Sequence, residues 1–434
     1  MRDSFPALAV RRRLFRFPTW LALAMLAAVP AHADTVGQSL AQLWRSHPDI
    51  RRAEAAIKAA GFDRTAAYSG FWPYLQTDLV RSNRDGGNDY VVRAVLPLWQ
   101  GGQTVAAIDS AKAVQALAVA DLQKTRLQLG LRLTESYFAV VAYREQAELW
   151  QRYRGVLDGL SGMIQRRAAA GASPQSDVVS IISRIRQAEA SLEMNQAGLI
   201  GAEAQFSALL EGGALPSGWP DSGELLTAAE AGQALARALE AHPDLVYAQA
   251  SVSREQADTR IKRSGLSPEV ALRYVRPVGG DSTAEPETQL TVQYQTDGGV
   301  KAYQGWQAGR QRIDAARAAV DSTRRDISAT INMAHAQWRM SSVQMEQQAA
   351  AVEAADKVVE SFLRQFEAGR KSWLEVLNAQ REAHETRLQL VEQRRNLWQA
   401  NAKLALSGLY WDRIVERDMS QESLPPAATG AAAP

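Results

Sequence analysis

Ser46-His47-Pro48-Asp49-Ile50 and Ala241-His242-Pro243-Asp244-Leu245 are two copies of one motif in a single chain of 434 residues. Working outward, the copies stay in step. Pro73, which opens an aromatic and β-rich stretch, has its counterpart in Pro268. Gly101-Gly102 matches Gly298-Gly299, and Gly171 with Asp177-Val178 matches Gly369 with Glu375-Val376. The offsets are 195, 195, 197 and 198, a drift that chance would not keep so small. A period this long is no solenoid repeat, so the chain is two large equivalent halves.

Each half has the same order of elements. An amphipathic helix comes first, over about 36–66 and 227–264, entered through the His-Pro-Asp turn. Two extended segments follow, near 74–82 with 89–99 and near 269–276 with 288–296. Polar, glycine-rich loops join them (Asn83 to Asn88, Gly279 to Glu287), as hairpins require. Gln289-Leu290-Thr291-Val292-Gln293-Tyr294-Gln295 alternates strictly, which suits a wall with water on one side and oil on the other. The segments have the length of tilted transmembrane strands. An ordinary half-buried hairpin is the competing reading. Two hairpins cannot close a barrel, so membrane insertion demands strands from several chains.

From each Gly-Gly pair to Gly171 or Gly369 the chain runs without proline and is rich in Ala, Leu, Gln, Arg and Glu. At 1.5 Å per residue each run makes a helix of roughly 100 Å. Val352, Ala355, Val359, Phe362 and Phe366 repeat at three-four spacing, a coiled-coil seam. Shorter return helices follow, about 174–210 and 373–408, so one long helix faces two short ones end to end. The expected division is 34–212 for the first repeat, 213–226 for a Gly/Pro-rich linker and 227–411 for the second repeat. The tail 412–434, with Pro425-Pro426 and a run of Ala and Gly, reads as disordered.

Residues 1–33 read as a signal peptide. Arg11-Arg12-Arg13 and Arg16 precede the apolar run from Leu21 to Val29, and Ala31-His32-Ala33 offers a cleavage site before Asp34. Beyond it no apolar run is long enough for a helical span. Lys plus Arg (49) nearly balance Asp plus Glu (47), so charge gives no reason to expect nucleic acid as a partner. Cysteine is absent, which excludes disulfides, thiolate metal sites and cysteine nucleophiles.

The layout resembles the TolC family of outer-membrane factors over nearly all of the mature chain. The likeness is carried by "GFWPYL" before the first strand, "LPLWQGGQ" after the second, and "FEAGRKSWLEVLNAQRE" at the second helical turn. It implies a mostly α, mixed fold: a homotrimeric channel-tunnel with four strands per protomer in a shared twelve-stranded transmembrane β-barrel, above a long α-helical coiled-coil barrel in the periplasm. It also implies a Gram-negative outer membrane and its lipid, a periplasmic adaptor protein, and an inner-membrane ABC transporter or proton-driven pump. The tip segment looks more like members serving type I secretion of proteins, adhesins included, than like members of multidrug or metal-ion efflux pumps.

In that family, polar links and acidic rings hold the periplasmic end shut. By position after the turn glycine, Glu375 falls at the first ring acid and Asn378 at the second, where it weakens the ring. Lys371 falls at the basic latch position, with Ser176 and Asp177 as its hydroxyl and carboxylate partners. Phe366 stands where a latch tyrosine would be and lacks the hydroxyl. A partly exposed Lys371–Asp177 link would contribute about 0–1 kcal/mol, so a partner could open such a gate. Solvation of helix ends is the competing role for these charges.

Trp72, Tyr74 and Trp99 flank the first hairpin as an interfacial belt would, and Tyr274 and Tyr294 join them from the second. Trp373 beside the turn either caps the coiled-coil tip or meets an adaptor. Of His32, His47, His242, His335 and His384, none pairs at i, i+4 with a second metal ligand. His47 and His242 read as turn and cap chemistry. Gly369-Arg370-Lys371-Ser372 echoes a phosphate loop without its glycine spacing or preceding strand. No hydrolase or protease motif appears, so neither a catalytic site nor a cofactor is expected. A periplasmic coiled-coil adaptor or structural protein is the rival class, and it would lack the duplicated hairpins.

Overall fold

The computed structural model describes residues 35–81, 88–278, 285–294 and 297–411. Residues 1–34, with the expected signal peptide, most of both hairpin loops, Gln295, Thr296 and residues 412–434, with the expected disordered tail, lie outside the described residues. The first half runs α1 (Val36–Ser46), α2 (Pro48–Tyr68), β1 (Tyr74–Arg81), β2 (Asn88–Trp99), α3 (Gln103–Ala169) and α4 (Gln175–Leu210). The second runs α5 (Ala228–Ala241), α6 (Pro243–Ser264), β3 (Glu269–Val278), β4 (Glu287–Gln293), α7 (Asp297–Glu367) and α8 (Trp373–Ser407). This is the mostly helical fold with one small sheet that the sequence implies.

One expectation changes. The single helices expected over 36–66 and 227–264 are each two helices, broken at the His-Pro-Asp motif. His47 Nδ1 accepts from the Asp49 N–H (3.1 Å), and His242 Nδ1 from the Asp244 N–H (3.2 Å). Proline at the first helical position lacks the N–H that a preceding turn would need, so the motif both ends one helix and starts the next.

The strands form one antiparallel sheet in chain order, β1-β2-β3-β4. The β2–β3 pairing stitches the two halves together, with an irregularity between Pro97 and Trp99. Below the sheet, α3 packs on α4 toward the turn and on α2 and α6 toward the strands, and α6 also packs on α7. Two apolar cores hold the mid-length. Leu40, Leu43, Tyr137, Phe138, Phe206 and Trp398 build one, and Ala234, Ala238, Ile327, Leu404 and Tyr410 belong to the other. The linker is clamped across the first: Trp219 stacks on Phe138 and donates Nε1–H to Glu145 (2.6 Å), whose carboxylate also takes Arg394 of α8.

The long helices differ in burial. The 67-residue α3 buries 25 side chains or glycines, whereas Gly309, Ile327, Ile331, Ala334, Ser341 and Phe366 are the buried positions of α7 from residue 300 onward. α7 packs on α6 toward the strands and on α8 toward the tip, and the flank away from both is left bare by its own chain. The start of α7 also differs: Gly298-Gly299 lies inside its first turn, while Gly101-Gly102 precedes α3 with φ of +61° and +84°.

Both long helices end on the same device. Ala172 N–H donates to Arg167 C=O (2.8 Å) and Gly171 N–H to Ala168 C=O (3.0 Å); Arg370 and Gly369 do the same to Gln365 (2.8 Å) and Phe366 (3.0 Å). These are Schellman caps, and they need a left-handed residue, here Gly171 (φ +73°) and Gly369 (φ +71°). A Cβ at either glycine would meet nothing within 4 Å, so its cost is conformational alone. Gly171→Ala and Gly369→Ala should each lower stability by about 1 kcal/mol, with Asn milder than Ala. Thermal denaturation of the detergent-purified protein checks this, and an unchanged midpoint for both alanines would contradict it.

Candidate functional site

Two regions carry chemistry, the sheet and the coiled-coil tip. In a strand, neighbouring side chains point to opposite faces, so the register sorts the sheet into two surfaces. One face carries the rows Leu75–Ala94–Tyr274–Thr288 and Leu96–Leu272–Leu290, with Val270 beside Val292, and toward the loop end the row Thr77–Val92–Arg276, so it is apolar over its helix-proximal and middle rows. The other carries Gln76–Arg93–Val275–Glu287 and Tyr74–Val95–Arg273–Gln289. Arg93 is ion-paired with Asp78, and Arg273 Nη2 donates to Gln293 (2.9 Å). Leu75 (77%), Leu290 (65%) and Val292 (66%) are exposed in the isolated chain, so the apolar face has nothing of its own to cover it. Among the described residues neither β1 nor β4 has a partner on its outer edge.

The belt aromatics are all exposed and unevenly placed. Trp72, Tyr74, Trp99 and Tyr294 gather at the helix-proximal end of the strands. Tyr274 lies in mid-strand, beside Ala94 and Thr288 on the apolar face. Tyr74, by alternation with Leu75, belongs to the polar face.

At the tip, Trp373 is 4% exposed and packs with Phe366, Tyr153, Leu157, Ile164 and Ile181 in a core drawn from α3, α4, α7 and α8. It caps the tip from within. Phe366 lies 5.4 Å from the Trp373 ring, and the Arg167 guanidinium covers it at 4.9 Å. The expected latch position is thus a core position in this chain. Leu374, next to it, is exposed instead.

Lys371 and Glu375 come together, and Lys371 and Asp177 do not. Lys371 Nζ lies 2.6 Å from Glu375 Oε1 and 4.3 Å from the Phe362 ring centroid. Glu375 has a second task that the ring-acid expectation missed. Its Oε2 accepts from the Ser372 N–H (2.9 Å) and hydroxyl (2.9 Å), and the Ser372 Oγ faces the Glu375 N–H, completing a capping box. Ser372-x-x-Glu375 is the written signature of that box and was available in the sequence. Asp177 is half-buried in the first turn of α4, Ser176 is exposed beside it, and Asn378 is half-buried on α8. In the first half Pro174 takes the place of Ser372, so α4 starts without a side-chain cap.

A sheet apolar on one face and polar on the other, open at both edges and carried on helical hairpins roughly 100 Å long, defines a subunit of an outer-membrane channel rather than an enzyme. Residues 40–212 and 234–407 match the outer membrane efflux protein family. The chain belongs to that family, the TolC-type channels of the Gram-negative outer membrane. Over 203 residues it is 28% identical to the cobalt-zinc-cadmium resistance protein CzcC of Cupriavidus metallidurans, covering 46% of this chain and 48% of that protein. The chain thus spans about half the length of the curated relative it matches. Its fold is similar to that of CusC, a transmembrane channel (TM-score 0.77, 13% identity, 87% of this chain and 92% of that one). It is similar also to the outer membrane protein VceC of Vibrio cholerae (TM-score 0.74, 15% identity, 86% and 95%).

The Lys371 hydrogen bond first, and those from Ser372 second, hold the Glu375 carboxyl down at about 2. A depressed carboxylate adds stability that is complete above its ordinary range near 4.5 and fades as pH falls toward about 2. The stability gap between wild type and Glu375→Gln should therefore stay constant at neutral pH and close between about pH 4.5 and 2. Ser372→Ala should lower stability by about 1 kcal/mol through loss of the cap. Thermal midpoints across pH test both, and a gap that widens in acid would reverse the assignment.

Proposed function

We propose that three copies join edge to edge, β4 of one against β1 of the next, to form an outer-membrane duct that exports small solutes, with divalent transition-metal cations as the cargo class. A periplasmic adaptor and an energised inner-membrane pump, proton-driven or ABC-type, would deliver the cargo, and the duct itself would be passive. The observation that carries the reading is the two-faced sheet with both edges open. Unpaired backbone groups cannot stay in hydrocarbon, and a closed ring of strands leaves none. Trp72, Trp99 and Tyr294 would sit at the headgroup level nearer the tunnel, with Tyr74 turned to the lumen and Tyr274 deeper in the apolar band.

The cargo class is supported by the relation to a cobalt-zinc-cadmium resistance protein. Type I secretion of proteins is the second reading, and it rests on the tip segment "AGRKSWLEVLNAQRE". In the fold Ser372 and Glu375 of that segment cap the turn and Trp373 packs it, work needed whatever the cargo. The segment therefore weighs less than the relative does.

Deleting the gene should sensitise cells to cobalt, zinc or cadmium salts, with tolerance restored by a plasmid copy. Unchanged metal tolerance with loss of a secreted protein would favour the second reading. The membrane-extracted protein should migrate as a heat-sensitive trimer. Recovery as a soluble monomer would defeat the duct outright.

The tip is the proposed gate, with Glu375 and Asn378 at the constriction and Lys371, Ser176 and Asp177 between neighbouring protomers. Phe366 would act there through packing. Replacing Lys371→Gln and Asp177→Asn together should raise single-channel conductance in bilayers. Equal conductance would remove this pair from the gate and leave Lys371 to its Glu375 contact.

A further inference from the structure

The sequence treats His384 only as a failed metal ligand, and the tip gate makes no use of it. It is nevertheless the most enclosed histidine described, 2% exposed on α8. Its ring lies flat on Tyr153 of α3, with centroids 4.2 Å apart and planes 5° from parallel. Trp150, one turn earlier on α3, meets it edge-on at 4.2 Å. Nε2 finds no hydrogen-bond partner. The contact joins α3 of the first half to α8 of the second, so it is a seam between the two helical hairpins of one protomer.

We propose that this seam is a proton-responsive joint, in which charging of His384 parts α8 from α3 and widens the passage at the tip. The widening rests on the duct reading above; the joint itself does not. An imidazolium in this box would carry an N–H with no acceptor, in a place that water does not reach. The charged and titratable groups around the box are Tyr153 on α3, Arg184 on α4, Asp356 on α7, and Arg381, Glu385 and Arg387 on α8. The acids are already engaged, Asp356 with Arg387 and Glu385 with Arg381. Attraction of the cation to the Tyr153 face is the one compensating contact, and it is smaller than the hydration lost.

Burial first, and the Arg387 charge second, lower the His384 pKa to about 4 from its ordinary 6.5. For a base lowered in the joined state, both states are neutral above 6.5. Between 6.5 and 4 the parted state takes up a proton and the joined state does not, so falling pH favours parting. At pH 5 the parted-to-joined ratio should rise about 30-fold over its neutral value. Glu375, held at about 2, keeps its charge over the same range, so the turn cap does not move with it. The apolar tip core opposes parting and keeps the joint shut at neutral pH.

The chain has no cysteine, so labels can be placed without background. Spin labels at Gln151→Cys and Glu382→Cys, both exposed, would straddle the seam in full-length protein reconstituted in lipid. Their distance distribution should gain a longer component from pH 7.5 to 5, and channel open probability should rise with it. His384→Phe keeps the stack without the proton and should abolish both responses. His384→Gln serves the same purpose should the phenylalanine fail to assemble, and the wild-type distance titration stands by itself. An unchanged distance at pH 5, or an equal pH response in His384→Phe, overturns the joint. A responsive distance with no current at any pH overturns the duct reading and leaves the joint standing.

Discussion

A strand edge with nothing beside it is the condition to which the rest of this chain is fitted. Each backbone N–H or C=O left bare in hydrocarbon costs several kcal/mol, and β1 and β4 present such edges on both sides of the sheet. Internal pairing between β2 and β3 cannot cure this, because it only joins the two halves. The helices are unfinished in the same places. On the β1 side, α2 covers α3; on the β4 side, α7 lies bare beyond α6. Sheet and helix layers stop at the same two flanks, so one rotation repeated until it closes satisfies both.

Duplication sets up this arrangement, and divergence makes it work. If the halves were equivalent in detail, α3 and α7 would be covered by their own chain to the same extent. Instead α3 is enclosed by its own chain and α7 is not. The tips have diverged as well. Where α8 opens with Ser372 and Trp373, α4 opens with Pro174 and Gln175, so the second hairpin supplies both the capped turn and the aromatic plug of the tip.

The large elements were legible because each is written locally. Absence of proline over a long run means a long helix, strict alternation means a two-faced strand, and a repeated landmark means a repeated fold. The His-Pro-Asp break misled because proline at a first helical turn is compatible with entering a helix and with leaving one. Glu375 was read by its place in a family pattern, although its spacing from Ser372 states a capping role openly. Phe366 was legible as a seam residue and Trp373 as a candidate tip cap, but their union in one core was not, since burial at the tip depends on α3 and α4 arriving from far away in sequence. His384 is the extreme case: its ring partners lie 231 and 234 residues earlier (384 − 153 and 384 − 150), beyond any local pattern.

Mechanically, the clamp on the linker and the His384 seam belong together. Glu145 on α3, gripped by Trp219 and by Arg394 of α8, fixes the two halves to one another near mid-length. Tyr153 lies eight residues beyond it and Ala169, the end of α3, lies 24 residues beyond. At 1.5 Å per residue these are roughly 12 and 36 Å from the fulcrum. Stiff helices pivoting there would turn a 1 Å opening at the seam into about 3 Å at the turn. The exposed ion pairs at the tip are weak individually and can be rearranged by such a movement. A group buried close to the fulcrum can therefore govern the tip without touching it, provided that its protonation does work against packing rather than against water.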